Sequence, residues 1–477
     1  MRIIASNGID IDRKARMRIP FKDVPIRPPQ ERLGDFEPTY RSLSPEEAVR
    51  AASRCIQCPD PAACYEACPV HNDIPSALWL IEHGDFLGAA DLYRKTSFMP
   101  GICGQVCPHE VLCMGSCVRV KRAEPVITGA LEAFVADYQR QFGDFKIPIG
   151  VSSGKRVAII GSGPAGLSCA DQLVRTGHAV TFFEAMPAAG GLLLYGIPSF
   201  KLPKDVVKAV IDDLVKAGVE FVFNMRIGEE KTIDDLFNEG FDAVFIGVGT
   251  GIDATIKAPG IDLPGIYSAT DFLIRSNVNP AYLPENIRSK PEIGDRIVVI
   301  GGGDTASDCL RTALRLGVKE VTCLYRRTET EMPGNVKDRK LSKEEGAEFH
   351  FLVQPVSFLA GPDGRVSAVE CLRCELGEAD DSGRRRPVPI DNSNFTVQAD
   401  TVILALGYWP DESLARTTPE LETENWGLIA VDSETMASSR KGVFAGGDAV
   451  TGPDLVVTAM VAGRKAAASI DSYLEEV

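Results

Sequence analysis

Two runs of cysteines, Cys55-x2-Cys58-x5-Cys64-x3-Cys68-Pro69 and Cys103-x3-Cys107-Pro108-x4-Cys113-x3-Cys117, hold eight of the thirteen cysteines in the chain. Closely spaced thiols with a Cys-Pro step suit iron-sulfur ligation, in which three ligands hold one 4Fe-4S cluster and a fourth reaches across to another. The same residue types would also serve a pair of four-thiolate zinc sites or four disulfides. The doubled Cys-Pro and the nucleotide motifs downstream favour two 4Fe-4S clusters, and with them electron transfer.

Two glycine motifs follow, each with the strand before it and the helix after it that a dinucleotide fold requires. Arg156-Val-Ala-Ile-Ile160 runs into Gly161-x-Gly163-x-x-Gly166, and Arg296-Ile-Val-Val-Ile300 runs into Gly301-x-Gly303-x-x-Ala306. The first position of such a motif permits the turn, the second lets a pyrophosphate approach the backbone, and the third brings helix against strand. Phosphate then sits at the helix N-terminus. The two units differ where their second strands end. Ala179-Val-Thr-Phe-Phe183 ends in Glu184, suited to accept hydrogen bonds from ribose hydroxyls, whereas Val321-Thr-Cys-Leu324 ends in Tyr325-Arg326-Arg327. A carboxylate repels a 2′-phosphate and paired guanidinium groups attract it, so the second unit is expected to prefer NADP(H). Glu329 lies close enough to soften that preference, and a merely solvated arginine pair is the alternative. Val443-Phe-Ala-Gly-Gly447-Asp448 offers a turn from which Asp448 would bind the ribityl hydroxyls of FAD, although Gly-Gly-Asp alone is commonly a plain turn.

These residues need elements to hold them. Ser44-Pro45-Glu46-Glu47 has the cap serine, the first-turn proline and the glutamate that start a helix leading to Cys55. Two short helices, over 73–81 and 85–95, would bring the second cysteine run beside the first. Leu131, Phe134, Val135 and Tyr138 form the stripe of a further helix, and the Pro, Gly and Ser of 146–155 read as a linker. Beyond it, short Val/Ile/Ala runs alternate with amphipathic stretches, the texture of a parallel sheet with crossover helices. The segments 242–250 and 400–407 read as buried strands ending in glycine, suited to chain crossings between the two units. Residues 330–404 read as more β-like, with a hairpin around 377–386, and a last helix is expected over 455–473. The division expected is 1–150 (arm and helical double-cluster domain), 151–284 and 405–477 (FAD unit in two parts) and 285–404 (NAD(P)H unit). The fold class is therefore α/β with an N-terminal α-helical iron-sulfur domain and two Rossmann-like units, the second inserted in the first.

Length and composition set bounds. A chain of 477 residues with 44% hydrophobic and 25% charged residues is expected to form about three globular domains. No apolar run reaches membrane-spanning length, and the N-terminus lacks the pattern of a signal peptide, so a cytoplasmic setting is expected, where clustered thiols serve metals rather than disulfides. A net charge of -15 disfavours nucleic acid as a partner. The basic, proline-interleaved start, with Arg13, Lys14, Arg16, Arg18, Lys22, Arg27 and Arg32, reads as an extended arm packed across a neighbouring domain or subunit. Cys169, Cys309 and Cys323 suit packing, and Cys371-x2-Cys374 lies on an alternating strand that turns its two sulfurs to opposite faces.

Gly190-Gly191-Leu-Leu-Leu-Tyr-Gly-Ile-Pro198 with Lys201-Leu-Pro-Lys204, Gly301-Gly-Gly-Asp304-Thr-Ala306, Tyr325-Arg-Arg327 and Ala445-Gly-Gly-Asp448 resemble segments of the glutamate synthase small (β) subunit family. That family is similar to the large subunit of NADH-dependent ferredoxin:NADP oxidoreductase and to the N-terminal half of dihydropyrimidine dehydrogenase. The resemblance runs from about residue 33 to the end. It implies unequal clusters: Cys55, Cys58, Cys64 and Cys117 on one, and Cys68, Cys107 and Cys113 on the other, completed by Glu132, with Cys103 a spare thiol. Without the resemblance Glu132 reads as an ordinary exposed helix carboxylate, since it lies off the apolar stripe. The activity implied is hydride transfer from NADPH to FAD, then single electrons through the clusters to a partner subunit. That partner is expected to be an FMN-containing glutamate synthase large subunit. A small ferredoxin-reductase-like subunit is the alternative, which would allow flavin-based electron bifurcation: Pro108-His109-Glu110 resembles that group, and the x5 gap with Pro59-Asp60-Pro61, one residue longer than the x4 expected of the relatives, keeps the choice open. A pyrimidine-reducing partner and a non-catalytic redox adaptor are further alternatives. No glutamine-hydrolysing nucleophile or (β/α)8 pattern is read in the chain, so it would supply electrons without making glutamate.

Overall fold

The structure, a computed structural model, describes residues 11–379, 383–424 and 426–476. The N-terminal part is helical. Ser44 caps the helix Pro45–Ala52 in a full capping box with Glu47, and Asp73 and Asp85 cap Ile74–Glu82 and Phe86–Arg94 through the backbone N–H three residues on. Pro100–Val106 and the long Thr128–Phe142 complete the module. The expected stripe faces inward: the Phe86 ring meets Phe134 and Tyr138 edge-on, with ring centres 5.0 Å apart in each pair. The linker 146–155 has no helix or strand.

Two five-stranded parallel sheets follow. The first has β1 (Arg156–Ile160), β2 (Ala179–Glu184), β3 (Glu220–Phe223), β4 (Ala243–Ile246) and β16 (Val443–Ala445), in the order β16-β4-β1-β2-β3. The second has β6 (Ile266–Ser268), β7 (Arg296–Ile300), β8 (Glu320–Tyr325), β9 (Glu348–Phe351) and β14 (Thr401–Leu404), in the order β6-β14-β7-β8-β9. Their central strands read as continuous apolar runs because both faces are buried; on the second sheet helix residues such as Phe272 and Leu310 cover one face, and strand residues such as Val353, Phe358 and Val369 cover the other. The second unit is inserted in the first: the chain leaves after β4 and returns after β14. The outgoing β5 (Ile252–Asp253) and returning β15 (Tyr408–Trp409) pair antiparallel, Tyr408 opposite Asp253. Since β6 joins the second sheet, that unit starts before residue 285, earlier than the sequence reading places it; three residues are too short a strand for its pattern to stand out.

A β-rich outgrowth extends the second unit, with β10 (Val353–Ala360), β11 (Val366–Ala379), β12 (Arg385–Pro389) and β13 (Phe395–Gln398). The expected hairpin is present in the β11–β12 pairing, while its tip, 380–382, lies outside the described residues. The stretch read as β-like also contains a helix, Val336–Glu345. Its buried face holds Arg339, Leu341, Ser342 and Glu345, so no apolar stripe announces it.

The last helix, Val456–Glu476, lies against Pro164–Arg175. A Cβ at Gly463 would stand 2.1 Å from the carbonyl oxygen of Ala165, on backbone that has nowhere to go. Gly463→Val should therefore separate the two helices, costing about 3 kcal/mol by overpacking. A thermal melt of the purified variant checks this, and an unchanged midpoint counts against so close a contact.

Candidate functional site

Both glycine loops open onto one cleft of about 1610 Å³ between the two sheets. In the first loop, Gly161 has φ +91°, and a Cβ there would stand 2.7 Å from the carbonyl oxygen of Gly247. Gly163 precedes the helix Pro164–Arg175 with no side-chain cap, which leaves its first N–H groups for an anion. Gly166 packs against Phe182 behind the loop, and Gly191 packs on Gly163. Glu184 is buried and already works inside the protein: it accepts from Ser162 N at 2.9 Å, Ser162 Oγ at 2.6 Å and Met186 N at 2.9 Å. The expected ribose acceptor thus also braces the glycine loop. Beside this loop, Gly447 (φ +72°), at which a Cβ would stand 2.9 Å from that of Ala165, leads into Asp448, whose carboxyl burial pushes up to about 6. Thr250 Oγ1 lines the same cleft, buried and without a hydrogen-bond partner. Helix N-terminus, acidic turn and orphaned hydroxyl fit the phosphates and hydroxyls of a bound dinucleotide.

The second loop is built alike. Gly301 has φ +145°, and a Cβ there would meet the Ala405 carbonyl oxygen at 2.0 Å. Gly303 precedes Asp304–Arg315, again without a side-chain cap, and Ala306 is buried. Asp304, at the first helical position, turns its Oδ1 to Asn335 N at 2.7 Å, which ties the loop to the segment before Val336–Glu345. Arg326 and Arg327, read from the sequence as a pair for a 2′-phosphate, are not equally exposed. Arg326 is exposed, but Arg327 is buried and its Nε donates to the carbonyl oxygen of Arg385 on β12 at 2.7 Å. The strand ends at Tyr325 and the chain bends at these two residues, so the neighbours diverge.

The cysteines fall into two neighbourhoods, and none forms a disulfide. The thiol of Cys64 feels Cys55, Cys58 and Cys117, with Cys113 also in range. Cys68, Cys107 and Cys113 each feel Glu132, and Cys103 is beside Cys107. Glu132 is buried rather than an exposed helix carboxylate; it accepts from Asn72 Nδ2 at 3.4 Å, and burial holds its carboxyl well above the usual range. Cys103 donates to Met460 Sδ at 3.4 Å, on the last helix. Burial pushes Cys55 and Cys113 up to about 12 and Cys68 to about 11, so thiolates here call for nearby cationic charge. Soft sulfur donors crowded in a dry pocket fit iron-sulfur clusters. Among the described residues no three His, Cys, Asp or Glu side chains converge as ligands of one ion would.

The cluster module walls the nucleotide cleft along 104–110 and along the helix Thr128–Phe142, and of the eight cysteines in the two runs Cys107 alone lines it. His109, to which the sequence reading gives no role of its own, is half-buried there, its Nε2 enclosed and unpartnered and its imidazole held down to about 4 by desolvation. Lys204 donates to the carbonyl oxygens of Leu193 and Ile197 while burial lowers it to about 7. Neither role is legible in the sequence, because partner identity depends on how the modules dock.

Parallel doubly wound units sharing one cleft, beside a cysteine-lined helical module, define an iron-sulfur pyridine-nucleotide oxidoreductase. Residues 32–144 match the family described as dihydropyrimidine dehydrogenase domain II, 4Fe-4S cluster, and residues 155–463 match the pyridine nucleotide-disulphide oxidoreductases. The chain is 42% identical over 461 residues to the glutamate synthase [NADPH] small chain of Escherichia coli strain K12, covering 95% of this chain and 97% of that one. It is 37% identical to the NADP(+)-dependent formate dehydrogenase subunit beta of Moorella thermoacetica, covering 87% of this chain and 60% of that one. The fold is shared with Mycobacterium tuberculosis FprA in complex with NADPH (TM-score 0.56, 21% identity, 68% of this chain and 85% of that chain). The chain belongs to the glutamate synthase small-chain family, NADPH-dependent FAD oxidoreductases with a 4Fe-4S domain. No helix among the described residues is long and apolar enough to cross a membrane.

Proposed function

We propose that the chain is the electron-input subunit of a larger oxidoreductase, taking hydride from NADPH and delivering single electrons to an FMN-containing glutamate synthase large subunit. The observation that carries this reading is the single cleft onto which both glycine loops and Cys107 open. When bound, NADPH supplies the hydride, FAD converts the pair to single electrons and the clusters carry them. FAD is held by the loop 161–166, Glu184, Gly191, Gly447 and Asp448. NADPH is held by the loop 301–306, with Arg326 at the 2′-phosphate. Two clusters are held by Cys55, Cys58, Cys64 and Cys117 and by Cys68, Cys107, Cys113 and Glu132. The protein needs no acid-base side chain for this transfer; its work is to hold the two rings in contact and exclude water.

Arg326→Ala should raise the Michaelis constant for NADPH by about tenfold or more and leave that for NADH nearly unchanged, since one charge-assisted contact to the 2′-phosphate is lost. Equal effects on both coenzymes sink the assignment. Arg327→Ala should act through the β12 contact and raise both. Dye reduction by NADPH with flavin-replete protein excludes a non-catalytic adaptor. Co-purification with a large FMN protein supports the glutamate synthase role; a small ferredoxin-reductase-like companion supports the bifurcating alternative.

A further inference from the structure

One carboxylate is surrounded by three arginines. The side chain of Glu345 is 0% exposed and accepts from Arg32 Nη1 at 2.9 Å, Arg311 Nε at 3.0 Å and Arg315 Nη1 at 2.6 Å. Arg311 and Arg315 are one turn apart on the helix Asp304–Arg315, which begins at the second glycine loop. Arg32 comes from elsewhere, the short helix Pro29–Arg32 of the N-terminal arm. The same arm supplies Thr39, whose Oγ1 accepts from Arg311 Nη2 at 2.7 Å and whose N–H donates to the carbonyl oxygen of Phe200 at 3.0 Å.

Phe200 belongs to the first nucleotide unit, and its ring lies 4.6 Å from the Arg311 guanidinium and 4.0 Å from that of Arg315. Its neighbour Lys201 ion-pairs with Asp308 and Asp338 of the second unit, each at 2.9 Å. The arm, the first unit and two helices of the second thus meet in one buried polar network, and Lys201, Asp308, Arg311 and Asp338 line the cleft itself. Adhesion alone would be served as well by apolar side chains, because burying charges costs about what their pairing returns. What forked, charge-assisted hydrogen bonds add is a defined geometry.

We propose that this network is a positioning device for hydride transfer: it fixes the helix Asp304–Arg315, and with it the bound coenzyme, against the first unit, and Arg32 is the peg that closes it. This rests on the reading that hydride passes across the cleft. Arg32→Met leaves Glu345 two guanidinium partners, so the fold should survive while the seating loosens.

In the holoprotein, stopped-flow flavin reduction at saturating NADPH should slow by about tenfold or more, as small misplacement of reacting groups does. The dissociation constant for NADPH should stay within about twofold, because the variant changes no coenzyme contact. Hydrogen exchange without coenzyme should rise in residues 198–204 and 336–345. Arg32→Lys, which keeps the charge and loses the fork, should recover part of the rate. An unchanged reduction rate, or a loss confined to coenzyme affinity, overturns the proposal. If Arg32→Met does not fold, Thr39→Val decides by the same two measurements. Wild-type flavin that NADPH fails to reduce sinks the functional reading instead, and the exchange arm still reports on the network.

Discussion

Glu132→Ala should strip the protein of roughly half its iron, whereas Cys103→Ala should leave the iron content unchanged, as expected if two 4Fe-4S clusters are present and only one uses Glu132. The contrast is sharp because, without the family resemblance that implies it, spacing favours the opposite. Cys103 looks like a member of the second run, and Glu132 looks like any glutamate on a helix. Yet Glu132 is buried beside Cys68, Cys107 and Cys113 with one long hydrogen bond from Asn72. A carboxylate in that setting is costly without a cation. Cys103 lies in the same neighbourhood, beside Cys107 and Glu132, and its sulfur also donates to Met460 Sδ on the last helix, so the two variants decide which of Glu132 and Cys103 is the ligand. Iron analysis with electron paramagnetic resonance of the reduced protein reads both variants. Loss of a cluster in Cys103→Ala with none in Glu132→Ala overturns the ligand set, and Glu132→Cys should retain both clusters with a shifted potential for one.

Gly301→Val should abolish reduction by NADPH while FAD stays bound. A Cβ at that position would lie 2.0 Å from the Ala405 carbonyl oxygen, and φ +145° is foreign to a β-branched residue. The loop must then move away from β14, carrying the N-terminus of Asp304–Arg315 with it. A displacement near 1 Å costs on the order of a hundredfold in rate, and this one removes a phosphate-binding turn as well. Photochemical reduction of the flavin and its absorbance spectrum should be normal, which separates the lesion from a general loss of fold. A variant still reduced by NADPH at the wild-type rate excludes this loop as the coenzyme site.

Much of the fold is legible in the chain because each piece carries a local signature: strand, glycine turn and helix around Gly161 and Gly301, a capping box at Ser44, an apolar stripe from Leu131 to Tyr138. The short β6 and the helix Val336–Glu345 are not, and for different reasons. The first is only three residues long, and the second buries charge rather than apolar surface. At the site, residue types and spacing point to nucleotide and sulfur chemistry. Which side chains share a neighbourhood does not follow from spacing. The burial of Glu132, the divergence of Arg326 from Arg327 and the meeting of Arg32 with Glu345 all depend on docking between segments far apart in the chain. His109 enters the cleft wall for the same reason.

The antiparallel contact of Ile252 and Trp409 has a bearing on biosynthesis. Strand β4 pairs with β1 on one side and with β16 on the other, and β16 is made only after the whole inserted unit. A nascent chain released from the ribosome at residue 404 therefore holds a complete second sheet but an unfinished first one, with β4 as an open edge and no Asp448. Such a chain waits with an adhesive strand exposed. Flavin capture should accordingly follow translation of the last helix, and a chaperone that shields sheet edges should matter more for this protein than for one whose units are strung in series.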